Sequence, residues 1–260
     1  MNVIKHDLGS EFDTVEIIPI GDVHLGSGHF NKKAFESMLE YVKSSPNRFV
    51  VLNGDLLNNA IKTSVSDIYS EKMTPDECID MLFEYLKPIK ERILGVISGN
   101  HEDRTYKLTG VDILKNLCYR LDVSNLYSSI ANIIFVSFGK SRGRDNVRNT
   151  FSLYHSHGNG GGRTMGAKTN AVHRMASIVH ADIYLHSHTH SPIIFKEDYV
   201  MSSNANKGIK LVSRLFVNTN AYEGFGGYGE RMGLRPSNMD FIKIKVTSDA
   251  KGNKIFNATL

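Results

Sequence analysis

Val15-Glu16-Ile17-Ile18-Pro19-Ile20-Gly21-Asp22-Val23-His24 joins a short apolar run to a turn built from metal-binding residue types. The run reads as a buried strand, and Gly21 opens the loop that follows it. Asp22 and His24 stand two apart, so both side chains can point the same way from a non-helical backbone and share one ion. The same grammar recurs twice: Phe49-Val50-Val51-Leu52 ends in Asn53-Gly54-Asp55, and Ile93 to Ile97 ends in Ser98-Gly99-Asn100-His101-Glu102. Helical patterns separate the three runs. Asn31 caps a helix with Phe35, Met38, Leu39 and Val42 on one face. Thr74-Pro75-Asp76-Glu77 starts another, with Thr as cap, Pro at the first position and Glu three residues on. Pro88 ends it near Leu86. Strand, polar loop and helix in alternation predict βαβ units, with functional residues beyond the carboxyl ends of parallel strands.

The second half is richer in strands. Val111 to Leu121 reads as a helix, followed by strand-like runs at Asn132–Phe138, Phe151–His155, Ile183–His186, Leu211–Val217 and Phe241–Val246. Asn170 to His180 reads as a helix, and Lys254–Ala258 as the return arm of a hairpin across residues 250–253. The expectation is an α/β fold, a four-layer α-β-β-α sandwich of two mixed β-sheets flanked by helices. It is expected to form a single domain over residues 1–260.

Bulk properties fit that frame. Of 260 residues, 41% are hydrophobic and 22% charged, the balance of an ordinary globular protein with a sizeable core. Lys and Arg exceed Asp and Glu by 31 to 27, a net charge of +4 that permits an anionic partner without demanding one. Cys78 and Cys118 lie in helical stretches at no ligand spacing and read as buried free thiols. Lys5, His6 and Asp7 deny the N-terminus the apolar centre of a signal peptide, and no run approaches the ~18 apolar residues of a membrane span. A cytoplasmic protein without membrane contact is expected.

Two further clusters complete the chemistry: His157-Gly158, and His186-Ser187-His188-Thr189-His190. Asp22, His24, Asp55, Asn100, His157, His188 and His190 make seven candidate metal ligands, with a carboxylate able to serve two ions. His155 and His186 each stand two residues before a candidate, so the choice within those clusters is open by two positions. Oxygen and imidazole donors without sulfur suit Mn2+ first, with Fe, Zn2+ or Mg2+ as alternatives. Two such ions, about 3.5–4 Å apart, serve in-line displacement at phosphorus, with a shared hydroxide as nucleophile. His101 is then free to protonate a leaving oxygen or hold the transition state.

The order G-D-x-H, G-D, G-N-H-E, H-G and S-H-T-H-S-P over residues 21–192 resembles the calcineurin-like metallophosphoesterase superfamily. The resemblance implies a binuclear site: Asp22, His24, Asp55 and His190 on one ion, and Asp55, Asn100, His157 and His188 on the other. It assigns His101 the catalytic role. One departure stands out: Ser187 occupies a place the family usually gives to Gly.

For the substrate, Asp22-Val23-His24-Leu25-Gly26 resembles the nuclease subunits of double-strand-break repair complexes, which share D-x-H-L-G. His101 disfavours the lipid-A-pathway hydrolases, and Leu56-Leu57 after Asp55 disfavours the protein phosphatases. Arg163, Lys168 and Arg104 are candidate substrate contacts, with Arg174 adding charge near the site. The glycine-dense Gly158–Arg163 loop offers backbone amides to a phosphate, or is simply a loop. Lys140–Arg148 reads as a solvated hairpin loop before a nucleic-acid contact, and Phe225 and Tyr228 among glycines offer stacking faces for a base. A metal-dependent phosphodiesterase or nuclease acting on nucleic acid or a nucleotide is the leading expectation. A phosphomonoesterase on a metabolite or protein comes second, and an inactive metal-binding scaffold third.

Overall fold

Twelve strands form two six-stranded mixed sheets in a computed structural model. It describes residues 1–62, 64, 68–142, 147–160, 162–203, 208–226, 230, 240–249 and 253–260. The first sheet carries the βαβ half. Its central strands β2 (Thr14–Ile20), β3 (Arg48–Asn53), β4 (Ile93–Ile97) and β5 (Tyr127–Ser128) run parallel. The C-terminal hairpin, β11 (Lys243–Ser248) and β12 (Lys254–Thr259), adds antiparallel strands beside β2. The second sheet has the order β1-β6-β7-β8-β10-β9. Its members are β1 (Asn2–Asp7), β6 (Ala131–Arg142), β7 (Val147–Ser156), β8 (Ile183–His186), β9 (Ile193–Ser203) and β10 (Gly208–Asn218).

Alternation along the second sheet shows how the layers stack. Ile183 and Leu185 of β8, and Leu215 and Val217 of β10, join Ile17, Val50 and Val96 in one core between the sheets. Tyr184 and Phe216 point the other way, with Val172 and Met175 from the outer helix. Helices α1 (Lys32–Lys43), α2 (Pro75–Leu86) and α4 (Ile113–Arg120) bury Phe35, Met38, Leu82, Leu114 and Leu117 in the larger core. Helix α5 (Met165–His173) covers the second sheet. This is the expected four-layer sandwich.

Local signals explain most boundaries. The Asn31 side chain accepts from Ala34 N at the start of α1. Thr74 and Glu77 form a reciprocal capping box on α2, and Pro88 lies in the 3-10 turn Lys87–Arg92 that succeeds it.

Several elements depart from the sequence reading, and β9 is one that it did not contain. The helix expected at Asn170–His180 begins at Met165, because Thr164 accepts from Ala167 N, and gives way to a 3-10 turn at Arg174–Ser177. Strand β1 and helix α3 (Glu102–Thr109) went unread because each buries a single side chain, Ile4 and Glu102. Strand β10 begins before Leu211 and pairs along its whole length with β9. Gly208–Leu211 are exposed, so no inward-facing pattern marked them.

Both cysteines are free and buried, and burial pushes each thiol up to about 12. Among the described residues, no helix is long and apolar enough to cross a membrane. The tip of the Lys140–Arg148 loop (143–146), Tyr228 and the turn 250–252 lie outside the described residues.

Candidate metal centre

The loops after β2, β3, β4, β7 and β8 converge at one end of the sandwich. Asp22 and His24 follow β2, Asp55 follows β3, and Asn100 and His101 follow β4. His157 follows β7, and His188 and His190 follow β8. Close approach of these loops depends on glycine. A Cβ on Gly99 would stand 2.1 Å from Asp55 Oδ1, and one on Gly54 would stand 2.8 Å from both Gly99 Cα and His157 Nδ1. Asp22, His24, Asp55, His188 and His190 all adopt left-handed backbone, with φ of 51°, 52°, 50°, 69° and 51°. That conformation costs a non-glycine residue on the order of 1 kcal/mol, and such strain gathers at functional sites.

Three overlapping groups of donor atoms each lie within 4.8 Å of one another: Asp22, His24 and His190; His24, Asp55 and His101; and Asp55, His157 and His188. Asp55 belongs to two of them. The donors fit divalent cations by a simple test. His157 Nδ1 faces the Asn53 carbonyl at 2.8 Å, so that nitrogen carries the proton. Its Nε2 then meets Asp55 Oδ2 at 3.1 Å and Asn100 Oδ1 at 3.2 Å. Three acceptors facing one point require a positive charge, either a second proton on His157 or a cation. In the bare site Asp55 and Asp22 hold that proton on His157, moving it up to about 10 against the cost of burial. On the other side His24 Nε2 and His190 Nε2 stand 3.0 Å apart, with Asp22 Oδ1 3.6 Å from the latter. Among the described residues, His24 Nδ1 is buried without a hydrogen-bond partner.

The carboxylates are held by backbone. Asp22 accepts from His188 N with both oxygens, at 3.1 and 2.8 Å. Burial raises its carboxyl to about 7. Asp55 Oδ1 accepts from His101 N at 2.8 Å. Burial opposes ionisation of Asp55, but His157 above all holds it well below the usual carboxylate range.

Several supporting residues had no role assigned from the sequence, Glu102 among them although it closes the G-N-H-E block. Glu102 is buried and accepts from the backbone N–H of Asp55, Leu57 and Gly99 at 3.0, 2.9 and 2.9 Å. Burial, then the charge of Asp55, raises it to about 7. Glu223 accepts from Ser27 Oγ at 2.7 Å and lies 3.9 Å from His190 Nδ1. Burial pushes Glu223 up, but His24 and the Ser27 hydroxyl bring it below its ordinary value. Asn53 follows an apolar run, and its Nδ2 donates to Ser187 Oγ at 2.6 Å while its Oδ1 meets His155 Nδ1 at 3.1 Å. Thr219 donates to the same Ser187 hydroxyl at 2.8 Å. Ser187 in place of glycine therefore ties two loops together.

The two ambiguous histidines are anchors. His155 binds Asn53, and His186 Nδ1 meets Asn218 Oδ1 at 2.6 Å. Burial moves them down to about 3 and about 4, so both are neutral.

His101 sits beside the donors, with Nε2 3.8 Å from Asp55 Oδ2. Its Nδ1 donates to Asn58 O at 2.6 Å, and its Nε2 faces Arg104 Nη2 at 2.9 Å. A guanidinium only donates, so Nε2 accepts and the ring is neutral. Burial, then His24 and Arg104, lowers His101 to about 3. Of the other expected substrate contacts, Lys168 Nζ donates to Thr189 O at 2.9 Å and to Ser191 Oγ, and Arg163 is exposed.

A profile of the calcineurin-like phosphoesterase family matches residues 16–192, more than half of the chain. No curated protein matches it. Among solved structures, the chain is similar to a conserved uncharacterized protein (predicted phosphoesterase) from Streptococcus pneumoniae TIGR4, at 14% identity and a TM-score of 0.36, covering 95% of this chain and 98% of that one. It is also similar to Chaetomium thermophilum Vps29, at 10% identity and a TM-score of 0.39 over 94% of each chain. A third is Entamoeba histolytica Vps29 complexed with Zn2+, at 11% and 0.39, covering 94% of this chain and 98% of that one. The five converging loops fall within or beside the matched span, and this chain belongs to the calcineurin-like phosphoesterase family.

Proposed function

We propose that this chain is a single-domain phosphodiesterase acting on nucleotides or nucleic acid, with Asp55 shared between two divalent cations. The observation that carries the reading is the pair of acceptor clusters meeting at Asp55, in which imidazole and carboxylate lone pairs face one another. Asp22, His24, Asp55 and His190 would hold one ion, and Asp55, Asn100, His157 and His188 the other. Mn2+ suits this donor set, which lacks sulfur. When bound, the ions supply positive charge for phosphoryl oxygens and make water a better nucleophile at neutral pH.

The chain's own residues do the rest. Asn53 O and Glu223 orient His157 and His190, so that each presents Nε2 inward. Glu102 fixes the loops that carry Asp55 and Asn100. In the overall reaction a water oxygen bonds phosphorus, the ester P–O bond breaks, and the leaving oxygen takes a proton. His101 stands beside Asp55, where its imidazole can serve that proton or hold the phosphoryl group. The Asp22-Val23-His24-Leu25-Gly26 string and the cationic side chains around the centre favour a diester on a nucleic-acid backbone.

The test is turnover of bis-p-nitrophenyl phosphate and p-nitrophenyl phosphate by Mn2+-loaded protein. Diester hydrolysis supports the reading. Hydrolysis of the monoester alone points to a phosphomonoesterase, and hydrolysis of neither to a scaffold.

A further inference from the structure

Two clefts open beside the Asn100–His157 edge of the metal centre. The larger, of about 560 Å³, starts at those two residues and runs between α3 and the α5 segment. Its lining includes Ile130, Met175 and Ile178 together with the polar Asp103, Lys107 and Ser129. Ile130 and Ile178 are 68% and 66% exposed, so this lining offers open apolar surface beside a polar centre. The second cleft, of about 380 Å³, is lined by Gly160, Gly162, Lys168 and Arg174. The two share Asn159, Ala171 and Arg174, so they adjoin and Arg174 faces both.

The charges differ between them. Lys168 is fixed to the wall through Thr189 O and Ser191. Arg174 is exposed, and its guanidinium makes no hydrogen bond or ion pair among the described residues. Lys107 lines the larger cleft beside Asp103 and offsets its charge, and Asp103 can accept from the N–H groups on a base edge.

We infer that these adjoining clefts bind the nucleotide unit attached to the scissile phosphate, with its base on Ile130, Met175 and Ile178 and a second phosphate on Arg174. The inference rests on the phosphodiesterase reading above and narrows it. The substrate class becomes an oligonucleotide or a nucleotide bearing a phosphate beyond the scissile one. Volumes of this size suit a small ligand, and a planar base suits an apolar lining with a few polar groups. An arginine fork suits phosphate geometry better than a lysine does.

Thymidine 5′-(p-nitrophenyl phosphate) with and without a 3′-phosphate tests this on Mn2+-loaded protein. The expected kcat/KM is about ten-fold higher with the 3′-phosphate, carried by KM and weakened by salt. Arg174→Ala should remove most of that preference, and Arg174→Lys should restore part of it. Arg174 is exposed, so both variants should keep the wild-type Tm. Equal kcat/KM for the two compounds, or a preference that survives Arg174→Ala, overturns the inference. If bis-p-nitrophenyl phosphate is hydrolysed but the 3′-phosphate brings no gain, the inference alone falls. If no diester is hydrolysed, the functional reading falls and takes the inference with it.

Discussion

The carboxylate of Glu102 accepts the backbone N–H of Asp55 at 3.0 Å, so the residue after His101 holds the loop that carries Asp55. The same carboxylate also takes the N–H groups of Leu57 and Gly99. Glu102→Gln keeps the shape but turns an amide donor toward N–H donors. It should lower stability by about 2 kcal/mol, the cost of one buried unsatisfied group. Metal affinity should fall about 10–100-fold, as for other residues that orient ligands. Urea denaturation and metal titration of the purified variant check both, and unchanged metal affinity would free Glu102 of this role.

Glu223 faces His190 Nδ1 across 3.9 Å and leaves Nε2 toward His24 and Asp22. Glu223→Ala should weaken one ion about 10–100-fold and leave the other nearly intact. A biphasic Mn2+ titration should show one shifted phase, whereas a uniform shift of both would contradict the assignment.

Arg104 holds the lone pair of His101 Nε2. His101→Ala should keep both ions and lower turnover by roughly 10²–10⁴, the usual worth of a positioned proton-transfer group. Arg104→Ala removes a positive charge that, after burial, helps keep His101 neutral. As the donor of the leaving oxygen's proton, His101 works only when protonated, so the alkaline limb of the pH–rate profile that it sets should move to higher pH in that variant. A profile identical to wild type would detach Arg104 from His101.

His155 is fully buried and neutral, with its folded value down at about 3. Below about pH 6.5 the unfolded chain binds a proton that the folded chain refuses. Its contribution is complete above 6.5 and is lost as pH falls toward the folded value, at about 1.4 kcal/mol per pH unit. His155→Gln should flatten the dependence of unfolding free energy on pH between about 6.5 and 5 by one proton's worth. An unchanged slope would mean that His155 titrates alike in both states.

The βαβ half was legible because its strands are apolar on both faces and its helices carry caps: Val15–Ile20, Asn31 and Thr74–Glu77 mark their own boundaries. The convergence of the candidate donor clusters was legible because Gly, Asp, Asn and His recur at strand ends. Helix α3 was not, since its only buried side chain is the charged Glu102, and neither was β9, an edge strand whose outer part is exposed. Asn53, Thr219 and Glu223 act through contacts between residues as much as 197 positions apart, which no local pattern records. The partners of Arg104 and Lys168 were equally hidden. Sequence marks them as cations near the site, while the fold commits one to His101 and the other to Thr189 and Ser191.

The central claim is that one carboxylate serves two cations. Elemental analysis of Mn2+-equilibrated wild type, Asp55→Ala and His190→Ala tests it most directly. Two ions per chain are expected in wild type, with the loss of both in Asp55→Ala and the loss of one in His190→Ala. Two ions retained by folded Asp55→Ala would contradict it.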